Sequence, residues 1–339
     1  MVDTAPRAVA LAAASVTTPA RERMRSMGSV LSPDSKWPSA ASSLLAGVDS
    51  SPLAPRATVG LIGAHTYQTS VSPRSARSTP EAIRAALSRY STWSFEDHRD
   101  LAEMVSIEDH GDVVEPDSEE GASRLAHELG RGQPRGLWLL LGGDNALTWR
   151  AMSALAAANL SEWGLITFDA HLDMREGRSN GSPVRQLLDE GLDGSHVVQI
   201  GLADFSNSAA YARDASAAGV HLVARSELRR RPLEDVVAEA VEIAGGDQRR
   251  IYVDVDMDVC DRAVVPGCPA AAPGGVSADE LRRLVRLTCA DPRVAALDVT
   301  EIDVERDAPD ERTVRLGALV VLEALAGYLR RPTDQGSAE

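Results

Sequence analysis

Two carboxylates and an imidazole alternate in the segment Phe168-Asp169-Ala170-His171-Leu172-Asp173. In an extended chain, side chains two positions apart share a face, so all three can look into one space. Asp254-Val255-Asp256-Met257-Asp258 repeats the arrangement with carboxylates alone, and the two segments together could converge as many as five acids and one imidazole. Like charges packed that closely cannot all stay ionised unless a cation lies among them, which makes a divalent metal site the simplest explanation. Oxygen-dominated donors with one or two nitrogens suit Mn²⁺, Mg²⁺ or Fe²⁺ better than a thiolate-type zinc site. Two cations sharing carboxylates would lower the pKa of a bound water and hold it as hydroxide at neutral pH. Asp169-x-His171-x-Asp173 alone is weak evidence and is more readily read as a helix cap or a solvated loop. Two such segments at separate strand ends of one domain favour the metal.

The elements that must position these residues are legible as short apolar runs: Ala57-Gly63, Leu137-Leu141, Gly164-Phe168, His196-Leu202, Val220-Val223, Arg250-Val255 and Val294-Val299. Such runs suit strands buried on both faces. They alternate with helical patterns at Pro80-Tyr90, Ser118-Gly130, Ala151-Ala158, Leu233-Ala244, Ser277-Thr288 and Thr313-Leu329. Alternation with long crossovers predicts an α/β fold, a single three-layer α/β/α domain around a doubly wound, mainly parallel sheet. In such sheets ligands gather at the carboxyl ends of the strands. Four runs end there in polar segments: Gly142-Gly143-Asp144-Asn145, the two acidic segments above, and Asp298-Val299-Thr300-Glu301. Residues 1–55, rich in Ala, Ser, Pro and Arg, read as a poorly ordered tail with at most one short helix; 56–330 read as the folded domain and 331–339 as a second tail.

Composition narrows the partners. A formal net charge of -15 over 339 residues leaves no basic face for nucleic acid and makes cations or cationic small molecules the natural guests. Cys260, Cys268 and Cys289 include no C-x-x-C pair, so a reducing, cytoplasmic setting is expected rather than a disulfide framework. The apolar run Val9 to Val16 is too short to span a bilayer and lacks the flanks of a leader, and no membrane association is expected.

Taken together, Phe168-Asp169-Ala170-His171-Leu172-Asp173, Asp256-Met257-Asp258 with Asp261 and Pro266-Gly267, Gly142-Gly143-Asp144 and Asp298-Val299-Thr300-Glu301 resemble the signatures of the ureohydrolases: arginase, agmatinase and formimidoylglutamase. The resemblance runs from about Ala57 to Leu329 and implies an arginase-like fold, a homo-oligomer and two manganese ions. It implies that Asp169 and Asp256 bridge the ions, that Asp173 binds one, and that His171 with Asp258 binds the other. Glu301 would meet the substrate's cationic amidinium or guanidinium. One position departs from the pattern, which usually completes its first motif with a ligating histidine where this chain has Asn145. An amide oxygen is a weaker, neutral donor, so Asn145 either holds the first metal loosely or serves as a loop cap. His65, just past the first strand, is a replacement nitrogen or a supporting residue.

Within that family the loops separate the substrates. Ser206 and Ala209 occupy places where arginase carries acids for its substrate's α-amino group, which disfavours arginase. Arg175, Asn180 and Asn207 stand where formimidoylglutamase presents an arginine, a turn and an asparagine, and Arg175 and Arg185 could clamp a substrate carboxylate or lie on the solvated surface. The expected reaction is hydrolysis of N-formimidoyl-L-glutamate to glutamate and formamide, with Asp258 or Asp173 relaying the proton. Agmatinase or a guanidino-acid hydrolase is the alternative enzyme, and a non-catalytic relative marked by Asn145 is the alternative of another class.

Overall fold

The computed structural model describes residues 34, 36–45, 57–72, 78–131, 136–157 and 159–332. The run Val9 to Val16 lies outside them, as does 333–339. One compact unit begins at Ser39. Eight strands form its main sheet: β1 (Ala57–Ala64), β2 (Val105–Asp112), β3 (Leu137–Gly142), β4 (Trp163–Phe168), β5 (Val197–Leu202), β6 (His221–Ala224), β7 (Arg250–Asp256) and β8 (Val294–Thr300). Their spatial order is β2-β1-β3-β8-β7-β4-β5-β6, and every pairing is parallel. Among the described residues, seven longer helices connect them and an eighth follows the last strand: α1 (Thr79–Ala86), α2 (Glu119–Arg131), α3 (Ala146–Ala156), α4 (Pro183–Asp189), α5 (Ala209–Ala217), α6 (Leu233–Gly245), α7 (Ala278–Cys289) and α8 (Arg312–Tyr328).

Strand periodicity divides the core. Leu139 and Leu141 of β3, Ile166 and Phe168 of β4 and Val253 and Val255 of β7 pack with α1, α6, α7 and α8 on one face. Trp138, Leu140, Leu165 and Tyr252, one residue out of phase, pack with α2, α3 and α4 on the other. The three-layer, doubly wound expectation is met. Helix starts follow local chemistry: Ser78 accepts from Glu81 N with Pro80 in the first turn of α1, and Ser277 with Glu280 forms a capping box on α7.

Several boundaries differ from the sequence reading. Strand β2 is an edge strand paired only with β1, and Glu108-Asp109-His110 lies partly outside the core, so its segment lacks a buried strand's apolar run. Helices α4 and α5 are only seven and nine residues long, and α5 buries only Ala215, so neither shows a long amphipathic pattern in the sequence. Helix α3 starts five residues before the expected Ala151, which makes Asn145 its N-cap. The short helix Ala40–Leu44 buries Ala40 and Leu44 in the core. Arg331 donates to the carbonyls of Cys289, Gly136 and Val294. No described helix is long and apolar enough to cross a membrane.

Candidate metal centre

The sheet order brings β3, β8, β7 and β4 side by side at its centre, so the four polar strand ends meet. After Phe168 the chain turns rather than staying extended. Asp169 Oδ1 accepts from His171 N (2.6 Å), and Asp173 takes a left-handed backbone, φ +50°. After β7 a single 3₁₀ turn does the same work, with Asp256 Oδ1 accepting from Asp258 N (2.7 Å). Asp258 reaches across to Ala170 N with Oδ1 (3.1 Å) and to His171 Nδ1 with Oδ2 (2.7 Å).

Two groups of candidate ligands result. Asp169, His171 and Asp258 each offer an atom within 4.8 Å of the others, and so do Asp169, Asp173 and Asp256. Asp169 is common to both. Burial, reinforced by neighbouring carboxylates, holds Asp169, Asp254 and Asp256 well above the usual carboxylate range. Burial pushes Asp173 up to about 7. Burial disfavours the His171 imidazolium, yet the Asp258 carboxylate outweighs it and raises His171 to about 9. The same contact overcomes burial at Asp258 and keeps that carboxyl below its ordinary value. Asp169 Oδ2 and Asp254 Oδ1 are buried without a hydrogen-bond partner among the described residues. Orphaned buried acceptors amid repelling acids are what a divalent cation would relieve, so these residues fit one.

Asn145 does not cap α3 with its side chain. Its Nδ2 donates to Asp173 Oδ2 (2.6 Å) and lies 3.4 Å from Asp254 Oδ2, while Oδ1 accepts from Thr300 Oγ1 (3.1 Å) and sits 2.7 Å from the Thr148 hydroxyl. In this arrangement the residue is a donor to the acids and turns its oxygen away from them. His65 accepts from Thr79 N (3.4 Å) and stacks on Tyr67.

Glu301 is buried, with φ +65°. Its Oε1 accepts from Asn145 N at the start of α3 (2.9 Å) and from Asn180 Nδ2 (2.9 Å), which fixes the carboxylate. Gly143 permits the crowding here, since a Cβ there would lie 2.0 Å from Thr66 O. Asn207 braces the turn instead of facing outward: Oδ1 accepts from Leu172 N (2.8 Å) and Nδ2 donates to Ala170 O (2.9 Å). Arg175 is exposed on the loop closed by its own N–H to Gly181 O (3.0 Å). Arg185 is engaged elsewhere, donating to Met174 O (2.7 Å) and pairing with Asp214 (3.0 Å), which speaks against its use as a carboxylate clamp.

A polar layer beneath the acids went unread in the sequence. Asp298 Oδ2 lies 2.8 Å from both Tyr252 OH and the Thr148 Oγ1, and Asp298 is in register with Asp254 on the neighbouring strand. Thr148, three residues after Asn145, could have been found from helical spacing had the start of α3 been placed correctly. The Asp254–Asp298 pairing needs the strand register, which no local signal gives.

Fold and site define a class, and the chain belongs to the arginase family, whose model matches residues 57–327. Formimidoylglutamase of Halalkalibacterium halodurans is 37% identical over 282 residues, covering 79% of this chain and 86% of that protein. The Bacillus subtilis formimidoylglutamase is 35% identical over 283 residues, 80% and 88% of the two chains. The crystal structure of the B. subtilis enzyme superposes with a TM-score of 0.80 at 30% identity, covering 90% of this chain and 96% of that one. Proclavaminate amidino hydrolase from Streptomyces clavuligerus is similar at a TM-score of 0.69 and 27% identity, covering 83% and 94%.

Proposed function

We propose that the protein hydrolyses N-formimidoyl-L-glutamate to L-glutamate and formamide, in the cytoplasm, using two manganese ions. The observation that carries the reading is the convergence of Asp169, His171, Asp173, Asp256 and Asp258 beside a Glu301 carboxylate fixed by two N–H donors. The identity with the two bacterial formimidoylglutamases supports the substrate. The five clustered side chains would hold the ions, which when bound supply a water of lowered pKa. Glu301 orients the cationic amidinium by a charge-assisted contact. Water oxygen bonds to the formimidoyl carbon, the bond from that carbon to the glutamate nitrogen breaks, and that nitrogen leaves protonated. Asp258 or Asp173, both beside Asp169, would relay that proton. Asn180 positions Glu301, Asn207 braces the 170–172 turn, and Arg175 offers an exposed cation to a substrate carboxylate. The likeness to an amidino hydrolase favours a second reading, urea release from a guanidino acid. A panel with added Mn²⁺, scoring formamide and urea together, decides between them. Formamide from N-formimidoyl-L-glutamate should far exceed urea from agmatine, arginine or guanidino acids, and urea as the main product would overturn the first reading.

A further inference from the structure

We propose that Asp117 is a positioning residue for Glu301, acting through the backbone of residues 67–71 and the amide of Asn180. The inference rests on Glu301 being the acceptor for the substrate's cation. Asp117 lies between β2 and α2, yet its carboxylate does not serve α2, whose Gly121 N–H is taken by the Ser118 hydroxyl (2.9 Å). Instead Oδ2 reaches the loop after β1 and accepts from Tyr67 N (2.9 Å) and Gln68 N (3.2 Å). The inner end of that loop is tied to the site, since Asp144 N donates to Thr66 O (2.8 Å) and Thr66 Oγ1 to Asp144 O (2.7 Å). Its outer part meets the site twice more: Ser70 Oγ donates to Asp144 Oδ2, and Val71 N donates to Asn180 Oδ1 (2.9 Å).

The Val71 contact sets the direction of the relay. A backbone N–H can only donate, so the Asn180 oxygen must face Val71 and the amide nitrogen must face Glu301. Were Val71 to move, nothing in that bond would prevent the amide from turning its oxygen toward the carboxylate, replacing a donor by a repelling acceptor. Of the two donors named on Glu301 Oε1, Asn145 N belongs to the N-cap residue of α3, which the helix holds through Thr148 N donating to Asn145 O (3.3 Å). The other depends on a loop held from outside by Asp117.

The test compares Asp117→Ala and Asp117→Asn with the wild type for formamide release, Mn²⁺ content and amide hydrogen exchange at Tyr67, Gln68 and Val71. Asp117→Ala should lower kcat on the order of tenfold to a hundredfold, the range for a supporting residue, with metal content unchanged and exchange accelerated. Asp117→Asn should restore most of the rate, because an amide oxygen accepts the same two N–H groups. Wild-type kinetics in Asp117→Ala, or an Asp117→Asn protein as slow as the alanine variant, would overturn the proposal. If the wild type releases no formamide, the substrate reading fails and exchange decides alone: an unchanged rate at Val71 in Asp117→Ala overturns the role of Asp117, and acceleration there supports it.

Discussion

Asp173 and Glu301 sit in the left-handed region of backbone space, which costs a residue with a side chain about 1–2 kcal/mol. Each is pinned by its own backbone, Glu301 N to Gly143 O (2.7 Å) and Asp173 O from Arg185 N (3.2 Å), so neighbours stabilise a conformation the residue would not choose. Strain at two acids of one site agrees with the roles proposed for them. Asp256→Ala should abolish turnover and lower bound metal, whereas wild-type values for both would sink the metal assignment. Asn145→His has a finer readout. The asparagine gives the acids its nitrogen and keeps its oxygen on the Thr148 and Thr300 side, so a first ion bound there would gain little from it. Imidazole suits first-row metals better than a neutral amide. Mn²⁺ titration should show a weak and a strong site in the wild type that converge in the variant. One equivalent of equal affinity in both proteins would rule out the dinuclear arrangement.

At the scale of elements, the adjacent strands β4 and β7 deliver the clustered acids and His171 at the carboxyl edge of the sheet, β8 delivers Glu301, and the N-cap residue of α3, Asn145, points its N–H at Glu301. Helix α7 illustrates an element whose start is set locally. Ser277 accepts from Glu280 N (3.1 Å), and Glu280 Oε2 accepts from Ser277 N (2.8 Å). Ser277→Ala should cost about 0.5–2 kcal/mol in urea unfolding while leaving kcat unchanged. A loss of activity without a loss of stability would show that the capping residue reaches the site.

The molecule as a whole carries a charge problem at its centre. Folded Asp173 keeps its proton to about pH 7 against an ordinary value of 3.8, and Asp169, Asp254 and Asp256 shift the same way. His171 keeps its own to about 9 against 6.5. In every case the folded chain binds more protons than the unfolded one above the ordinary pKa, so this contribution is full below it and is lost as pH rises through the folded pKa. Asp258, shifted downward, loses its contribution as pH falls instead. Metal-free protein should therefore have a lower urea midpoint near pH 9 than near pH 5, and Mn²⁺ should close the gap by binding the ionised acids. A midpoint in chelator that stays level over that range would contradict the crowding of these acids.

Local pattern carried the chemistry a long way. Two acids and an imidazole alternating at Asp169, His171 and Asp173, and two acids at Asp256 and Asp258, each set after a doubly buried apolar run, pointed to a metal at the carboxyl edge of a parallel sheet. Periodicity and capping residues act over a few positions, and a sequence displays them directly. The donor role of Asn145, the Asp254–Asp298 register, the inward use of Asn207 and the reach of Asp117 to Tyr67 and Gln68 were decided only by tertiary structure. Each rests on a contact between segments far apart in the chain. Its partner is chosen by strand order and register, which are set when the whole core packs and leave no trace in the spacing of neighbouring residues.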